Sequence, residues 1–233
     1  MMLVLTLFFL FSTSTVSLVN KRDLSFNQPF SQFFKQSDEY QFEAPVVGSY
    51  QLPSIKSAPS GFVLTHEGQK KSLSELLKGK VSLVSFVYLL CSDVNGCPLA
   101  MSTLFDIYDV SQKIPGLKDK VQLMTISFDP ERDTTEAIAS FAYPMLIDKE
   151  ASKKINWHVL TTEKMADLNP ILKGFGQVVN RSGDGDMLFH LLRLFLVDAQ
   201  GNIRNIYGLG MVDPRLIMAD VETLLKEEEH AKP

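Results

Sequence analysis

Residues 81–98 read VSLVSFVYLLCSDVNGCP and contain both cysteines of this 233-residue chain, Cys91 and Cys97. The continuous apolar run before Cys91 predicts a buried central strand over residues 81–90. Pro98 is typical of a first helical position, so Cys97 is expected at or just before a helix N-terminus. Two thiols on such a strand-to-helix turn can bind a soft metal ion or exchange electrons as a dithiol and disulfide.

Apolar patterns on both sides of this segment predict further strands and helices in alternation. The helix after Cys97 carries an apolar stripe made of Met101, Leu104, Phe105 and Tyr108. The other predicted elements are strands over 121–128 and 189–198, hairpins at 59–68 and 199–202, and helices over 72–79, 133–141, 163–174 and from 213 onward. Asp133 and Glu136 are expected to cap the helix that ends at Phe141. This order predicts an α/β fold with a mixed central sheet flanked by helices on both faces.

Composition and length limit the class of protein. A net charge of −4, with no run of Lys or Arg longer than two residues, argues against a nucleic-acid-binding surface. Two cysteines are too few for a scaffold held together by disulfides. The length suits one domain of ordinary size with an extension, and the predicted domain covers residues 59–230.

The N-terminal segment, residues 1–19, is largely apolar, and a run of small residues at 12–17 includes Thr15 and Ser17. Such a segment is typical of an export signal peptide or a short membrane anchor. Export places the rest of the chain in an oxidising compartment. Residues 20–58, which are polar and aromatic by turns, are predicted to be a linker whose aromatic rings lie across the main domain.

The separation of Cys91 and Cys97 requires the intervening loop to reverse before the two sulfurs can meet. Asn95 and Gly96 tolerate positive φ and are the residues expected to make that reversal. A helix N-terminus favours the thiolate of Cys97, the form that binds metal. Asp93 could order the loop or sit behind a metal ligand. From spacing alone, a structural disulfide is as good an interpretation as a metal site.

His190, far away in the sequence, favours the metal interpretation. Two thiolates suit Cu(I), and an added imidazole nitrogen helps to hold Cu(II). The alternative for His190 is a hydrogen-bonded core residue. Met101 and Met187 could add thioethers, although core packing is the better interpretation of both. The other histidines are weaker candidates because of their predicted positions in a turn, a packing segment and the tail: His66, His158 and His230.

Four motifs in register resemble one known family, the SCO/SenC/PrrC proteins. The first is the cysteine loop, Cys91–Pro98, after an apolar strand. The others are ISFDPERDT at 126–134, WHVLT at 157–161 and HLLRLFLVDAQGNIR at 190–204. The similarity extends over about residues 45–226.

The resemblance implies a thioredoxin-like fold and copper bound by Cys91, Cys97 and His190, with Asp93 ordering the loop. It implies a metallochaperone that delivers copper to, or reduces the cysteines of, the binuclear copper centre of cytochrome c oxidase. The expected location is the periplasmic face of a bacterial inner membrane, either anchored by the N-terminal segment or as a soluble periplasmic protein. Expected partners are the copper-site subunit of a respiratory oxidase and other copper or thiol-redox proteins.

One departure from the family keeps alternatives open. The usual family loop has three residues between the cysteines, whereas this chain has five. An exported thiol:disulfide oxidoreductase that uses Cys91 and Cys97 as catalytic residues is the main alternative. A late strand of thioredoxin-type reductases follows a proline, but residues 185–188 here are GDML, which favours a metal ligand. A structural disulfide in a copper sensor or assembly scaffold is a third interpretation.

Overall fold

A computed structural model describes residues 28–37, 40–91, 93, 96–181 and 188–230. The strands are β1 (Lys56–Ser57), β2 (Phe62–Thr65), β3 (Lys70–Ser72), β4 (Val81–Val87), β5 (Val121–Ser127), β6 (Asn156–Thr161), β7 (Val179–Arg181), β8 (Leu188–His190), β9 (Arg193–Val197) and β10 (Asn202–Gly208). The α-helices are α1 (Leu73–Leu76), α2 (Cys97–Ser111), α3 (Leu117–Lys120), α4 (Thr135–Leu146), α5 (Met165–Phe175) and α6 (Pro214–His230). Short 3-10 helices cover Phe30–Phe33 and Ala151–Lys153.

Eight strands form one mixed sheet in the order β1-β10-β9-β4-β5-β6-β2-β3, and β7 pairs with β8 separately. The β4, β5 and β6 strands run parallel, while β9 is antiparallel to β4. Every residue of β4 and β5 is buried. Because side chains alternate between the two faces of a strand, both faces of the sheet centre are covered. The predicted mixed α/β architecture is confirmed.

The direction of the central strands brings the segments that carry the predicted metal ligands to one edge of the sheet. The parallel strands β4 and β5 end at the same edge, at Val87 and Ser127. The β9 strand runs the opposite way, with Leu194 opposite Ser85, and therefore begins at that edge. The cysteine loop, the residues after β5 and the chain entering β9 consequently meet there.

Two predicted strands differ from the observed ones. The strand expected over 81–90 ends at Val87, because the backbone N–H of Leu89 leaves the sheet and donates to the carboxylate of Asp133 at 3.2 Å. The strand expected over 189–198 is split between β8, which pairs with β7, and β9 in the main sheet. Continuous hydrophobicity cannot reveal such a change of partner.

The cap of α4 is also corrected. The side chain of Thr134, rather than Asp133, accepts a hydrogen bond from the backbone N–H of Ala137, at 3.3 Å. The helix passes through Pro144 and ends at Leu146, beyond the predicted end at Phe141. Asp133 is buried and accepts a hydrogen bond from the backbone N–H of Leu89, just before the cysteine loop, instead.

Part of the predicted linker packs on the last helix. The side chain of Phe30 is completely buried, and its backbone N–H donates to Glu222 of α6 at 2.8 Å. Tyr50 donates its phenol hydrogen to Asp220 of the same helix at 2.6 Å. The expectation that aromatic residues lie across the main domain therefore holds for Phe30, and a domain boundary at residue 59 stays a prediction.

The predicted signal peptide or anchor at 1–19 lies outside the described residues. Within the described residues, none of the helices is both long and apolar enough to cross a membrane.

Candidate metal centre

Cys91 lies in the connection between β4 and α2, and Cys97 lies at its end. Cys97 is the first residue of α2, with Pro98 beside it, as the sequence predicts. Both cysteines are free thiols. Cys91 is half-buried, whereas Cys97 is only 4% exposed. The centre therefore offers one accessible sulfur and one enclosed sulfur.

Gly96 permits the reversal of the loop because, without a side chain, its backbone can pack closely against Asp93; positive φ is not needed. Its φ is −102°, so the expected positive φ is wrong for this residue, and Asn95 lies outside the described part. The backbone N–H of Gly96 donates to the carbonyl of Asp93 at 2.9 Å. A Cβ atom on Gly96 would lie 3.3 Å from both that carbonyl oxygen and the Asp93 carboxylate. A larger residue would press on the turn that brings Cys97 back toward Cys91.

His190 completes a three-donor group with the cysteines. It is the last residue of β8, and its Nε2 atom lies 3.5 Å from the Sγ atom of Cys97. The donor atoms of Cys91, Cys97 and His190 all lie within 4.8 Å of one another. No other described set of three or more His, Cys, Asp or Glu residues has such spacing. Three donors from positions up to 99 apart in the sequence thus converge on a volume that one ion can fill.

Neighbouring side chains hold the imidazole in place. The ring of Phe128, which is fully buried, packs against the His190 ring with centroids 4.7 Å apart. The amide of Gln177 donates to the carbonyl of Leu191, the next residue, at 3.0 Å. These contacts fix the chain where it leaves β8. Neither Phe128 nor Gln177 was singled out in the sequence, because neither carries a ligand atom typical of metals.

Burial decides the protonation of the two enclosed donors. Burial of the Cys97 side chain raises its pKa well above the ordinary value, so the expected helix-stabilised thiolate is wrong for the metal-free centre. Burial also lowers the pKa of His190, although the Leu191 backbone and the charge of Asp93 act in the opposite direction. The imidazole is therefore neutral at neutral pH and can offer a nitrogen lone pair.

Asp133, which the sequence analysis predicts to be a helix cap, lies next to the metal centre. Its carboxylate accepts hydrogen bonds from the hydroxyl of Ser127, at 2.6 Å, and from the backbone N–H of Leu89, at 3.2 Å. Leu89 lies two residues before Cys91. Asp133 therefore connects the residues just before the cysteine loop to the end of β5. The signal in the sequence is a carboxylate shortly after the second core strand, at the edge where the loop lies.

Asp93 lies in the cysteine loop, and its expected role in ordering that loop stays a prediction. Its carbonyl accepts from Gly96, and its carboxylate is not part of the three-donor group. Its charge acts on His190 across the loop. Met101 is 8% exposed and packs in the core, and Met187 lies outside the described residues.

The other histidines lie elsewhere. His158 bonds to Asn156 at 2.8 Å, and together with His66 it lines a groove of about 470 Å³ between β6 and α4 that contains neither cysteine. His230, at the end of α6, contacts the carbonyl of Lys226 at 2.7 Å. None of the three joins the donor group.

A second groove, of about 430 Å³, opens beside the donor group. It is lined by Asp93, His190 and the apolar residues Leu191 and Leu209, which are 66% and 63% exposed. The groove reaches the imidazole side of the centre.

The donor set fits copper. Thiolate sulfur is a soft ligand that selects Cu(I), and an imidazole nitrogen adds affinity for Cu(II). The enclosed environment of Cys97, the half-exposed Cys91 and the neutral imidazole of His190 provide both donor types on one side of the fold.

Sequence comparison finds two curated relatives. The SCO1 protein homolog of Bacillus subtilis (strain 168) is 26% identical over 150 residues, which cover 63% of this chain and 72% of that protein. The human mitochondrial protein SCO1 homolog is 29% identical over 145 residues, which cover 62% of this chain and 45% of that protein. The chain thus spans less than half the length of the human relative.

Solved structures share the fold at low identity. A SCO1/SenC family lipoprotein from Bacillus anthracis matches with a TM-score of 0.60 and 22% identity, over 73% of this chain and 95% of that one. ScoI of Arabidopsis thaliana with copper bound matches with a TM-score of 0.58 and 19% identity, over 73% and 98%. BsSco, described with a disulfide switch and as a member of the Sco family of cytochrome c oxidase assembly proteins, matches with a TM-score of 0.57 and 24% identity, over 78% and 99%.

The fold is therefore thioredoxin-like, as the resemblance implied. The SCO1/SenC family model matches residues 53–226, which include the strand before Cys91, both cysteines and His190. That match covers most of the chain and spans every element of the site, and this protein belongs to the SCO1/SenC family.

Proposed function

We propose that this protein is a copper-binding metallochaperone that takes part in the assembly of the binuclear copper centre of cytochrome c oxidase. The observation that carries the proposal is the convergence of the Cys91, Cys97 and His190 donor atoms within 4.8 Å of one another. Family membership and the copper-bound relative of the same fold support it.

The copper ion is the cargo, and the three side chains are the residues that would hold it. Each thiol must lose its proton when it binds copper, because the thiolate is the ligand. The raised pKa of Cys97 means that this proton is still present in the metal-free protein at neutral pH. The neutral His190 imidazole binds through Nε2 without releasing a proton. Uptake of Cu(I) by both sulfurs thus releases up to two protons, which buffer measurements can count.

Unequal exposure of the donors suits transfer to a partner. Cys97 is enclosed and can retain the ion, while Cys91 is half-exposed and can exchange with an incoming ligand. The groove beside His190 gives that ligand a second approach. The copper-site subunit of a respiratory oxidase is the recipient we propose.

A thiol:disulfide oxidoreductase is the second candidate, and the proximity of the two sulfurs favours it. In this reaction the Cys91 and Cys97 thiols become a disulfide, while a partner disulfide takes up two electrons and two protons and becomes a dithiol. The half-exposed Cys91 would attack, since the raised pKa of Cys97 lowers its thiolate fraction. A disulfide switch is described for the BsSco relative, and this activity would serve the same oxidase centre by reducing its cysteines.

We further propose that the protein acts outside the cytoplasm, at the periplasmic face of a bacterial inner membrane. The apolar segment at residues 1–19 supports this location, whether it anchors the chain or is removed during export. A structural neighbour of the same fold is a lipoprotein, which supports export of the chain.

Metal analysis of the reduced protein tests the proposed function. We expect about one copper per chain, and Cys91→Ser or Cys97→Ser should abolish tight binding because soft sulfur donors are lost. The matched control is His158→Ala, which removes an imidazole distant from the centre and should leave the stoichiometry unchanged. A protein that takes up no copper under reducing conditions would contradict the metallochaperone. Reduction of a partner disulfide without copper, abolished by Cys91→Ser, would instead support the oxidoreductase.

A further inference from the structure

Two buried polar atoms at the metal centre have no hydrogen-bond partner within the part of the chain that the structure describes. They are Nδ1 of His190 and Oε1, the amide oxygen, of Gln177. The Gln177 side chain is enclosed, since the residue is only 5% exposed. Buried polar atoms in proteins are nearly always hydrogen-bonded, because an unpaired one costs free energy. Two such atoms at one site therefore need a physical explanation.

The amide of Gln177 is held beside His190 by a hydrogen bond. Its Nε2 atom donates to the carbonyl of Leu191, the residue after His190, at 3.0 Å. A backbone carbonyl can only accept, so this contact fixes which end of the amide faces Leu191. The nitrogen is used in that bond, and the oxygen is left as an acceptor close to His190.

The two nitrogens of the His190 ring have different surroundings. Nε2 lies 3.5 Å from the sulfur of Cys97 and so belongs to the metal centre, whereas Nδ1 is the buried atom without a partner. A neutral imidazole carries one proton, and Nε2 can offer its lone pair to a metal only when that proton is on Nδ1. The metal-binding form of His190 therefore has a buried N–H donor at Nδ1, which needs an acceptor.

We propose that Gln177 is a positioning residue that accepts the Nδ1 proton of His190 through Oε1, and so selects the tautomer that presents Nε2 to copper. A bridging water serves as well as a direct bond, because water both donates and accepts. Histidines that bind metals generally donate their second N–H to such an acceptor, which makes the nitrogen on the metal more basic. This inference rests on the copper-binding function proposed above.

Two substitutions at Gln177 separate its acceptor from its donor. Gln177→Met keeps the length of the side chain and removes both amide atoms. Gln177→Glu keeps an oxygen that can accept from Nδ1 but replaces the nitrogen that donates to Leu191. The matched control is Gln122→Met in β5, where a residue only 4% exposed donates its amide hydrogens to the carbonyl of Leu76, at 2.6 Å, and to the hydroxyl of Ser82, at 2.9 Å.

Nitrogen NMR of isotope-labelled histidines in the reduced, metal-free protein reads the tautomer of His190 without copper. We expect the proton on Nδ1 in the unsubstituted protein and in Gln177→Glu, and a mixture of both tautomers in Gln177→Met. The Cu(II) affinity should fall about tenfold in Gln177→Met, because the imidazole is a poorer ligand. The Cu(I) affinity should change less, since the two sulfurs suit that ion. Gln177→Glu should retain most of the Cu(II) affinity, and Gln122→Met should change neither the tautomer nor the affinities.

The outcomes distinguish this inference from the proposed function. A proton on Nε2 in the unsubstituted protein, or an unchanged tautomer and Cu(II) affinity in Gln177→Met, would overturn the role of Gln177 alone. If Gln177→Glu behaves like Gln177→Met, only the contact with Leu191 matters, and the acceptor role is wrong. Equal changes in Gln122→Met would show a general loss of packing and would also overturn the inference. An unsubstituted protein that binds no copper would overturn the proposed function, while the tautomer measurement would still decide whether Gln177 accepts from His190. Circular dichroism of each variant verifies that its fold is retained.

Discussion

Asp133→Ala should loosen the cysteine loop and destabilise the fold. The carboxylate accepts two hydrogen bonds, from Ser127 and from the backbone N–H of Leu89. At ~1.5 kcal/mol for each bond to a charged acceptor, their loss amounts to ~3 kcal/mol. Burial opposes ionisation and raises the pKa of Asp133, which offsets part of that gain. We therefore expect the free energy of unfolding to fall by about 2 kcal/mol.

The loop should respond as well as the whole fold. Without its acceptor, the Leu89 segment must be ordered when copper binds, and ordering one residue costs ~1 kcal/mol. Copper affinity should therefore fall about fivefold to tenfold. Urea unfolding of the metal-free reduced protein measures the first effect, and competition with a Cu(I) chelator measures the second. Asp133→Asn is the control, because an amide oxygen can still accept, and it should lose less of both. Unchanged stability and affinity in Asp133→Ala would refute the role given to this carboxylate.

Two further predictions concern parts of the molecule outside the metal centre. Phe30→Ala should lower the free energy of unfolding by ~3 kcal/mol, because a fully buried ring is lost from the surface of α6. Copper affinity should not change. A stability equal to that of the unsubstituted protein would contradict the packing of this segment. Alkaline pH should unfold the protein, because burial raises the pKa of Tyr108 to about 12 and the pKa of Tyr207 well above its ordinary value of 10.0. Since the folded state holds these protons more tightly, the stabilisation is complete below pH 10 and decreases as the pH rises through 12. Urea unfolding followed across this range checks the slope, and stability that stays level through pH 12 would count against it.

Local patterns predict much of the fold. The central strands, the helix that begins at Cys97 and the hairpin of β9 with β10 follow from apolar runs, Pro98 and turn residues. Long-range geometry was harder to predict. The break after His190 depends on pairing with β7 and on the Gln177 contact with Leu191, neither of which leaves a periodic signal.

The site shows the same division between local and tertiary effects. The identities of Cys91, Cys97 and His190 follow from the chemistry of their side chains, and the antiparallel β9 strand explains why they meet. The protonation of Cys97 could not be predicted from its helix position alone, because burial of the thiol raises its pKa. The sequence predicts a local helix cap at Asp133, whereas a tertiary hydrogen bond from Leu89 gives it a different role.

X-ray absorption spectroscopy of the copper-loaded protein tests the central claim most directly. If two sulfurs and one imidazole hold one ion, the copper spectrum should contain two sulfur scatterers and one nitrogen with the outer-shell pattern of a histidine ring. His190→Ala should lose that nitrogen pattern and retain both sulfurs, while His158→Ala should retain the full spectrum. Copper bound without an imidazole in the unsubstituted protein, or an unaltered spectrum in His190→Ala, would contradict the three-donor centre.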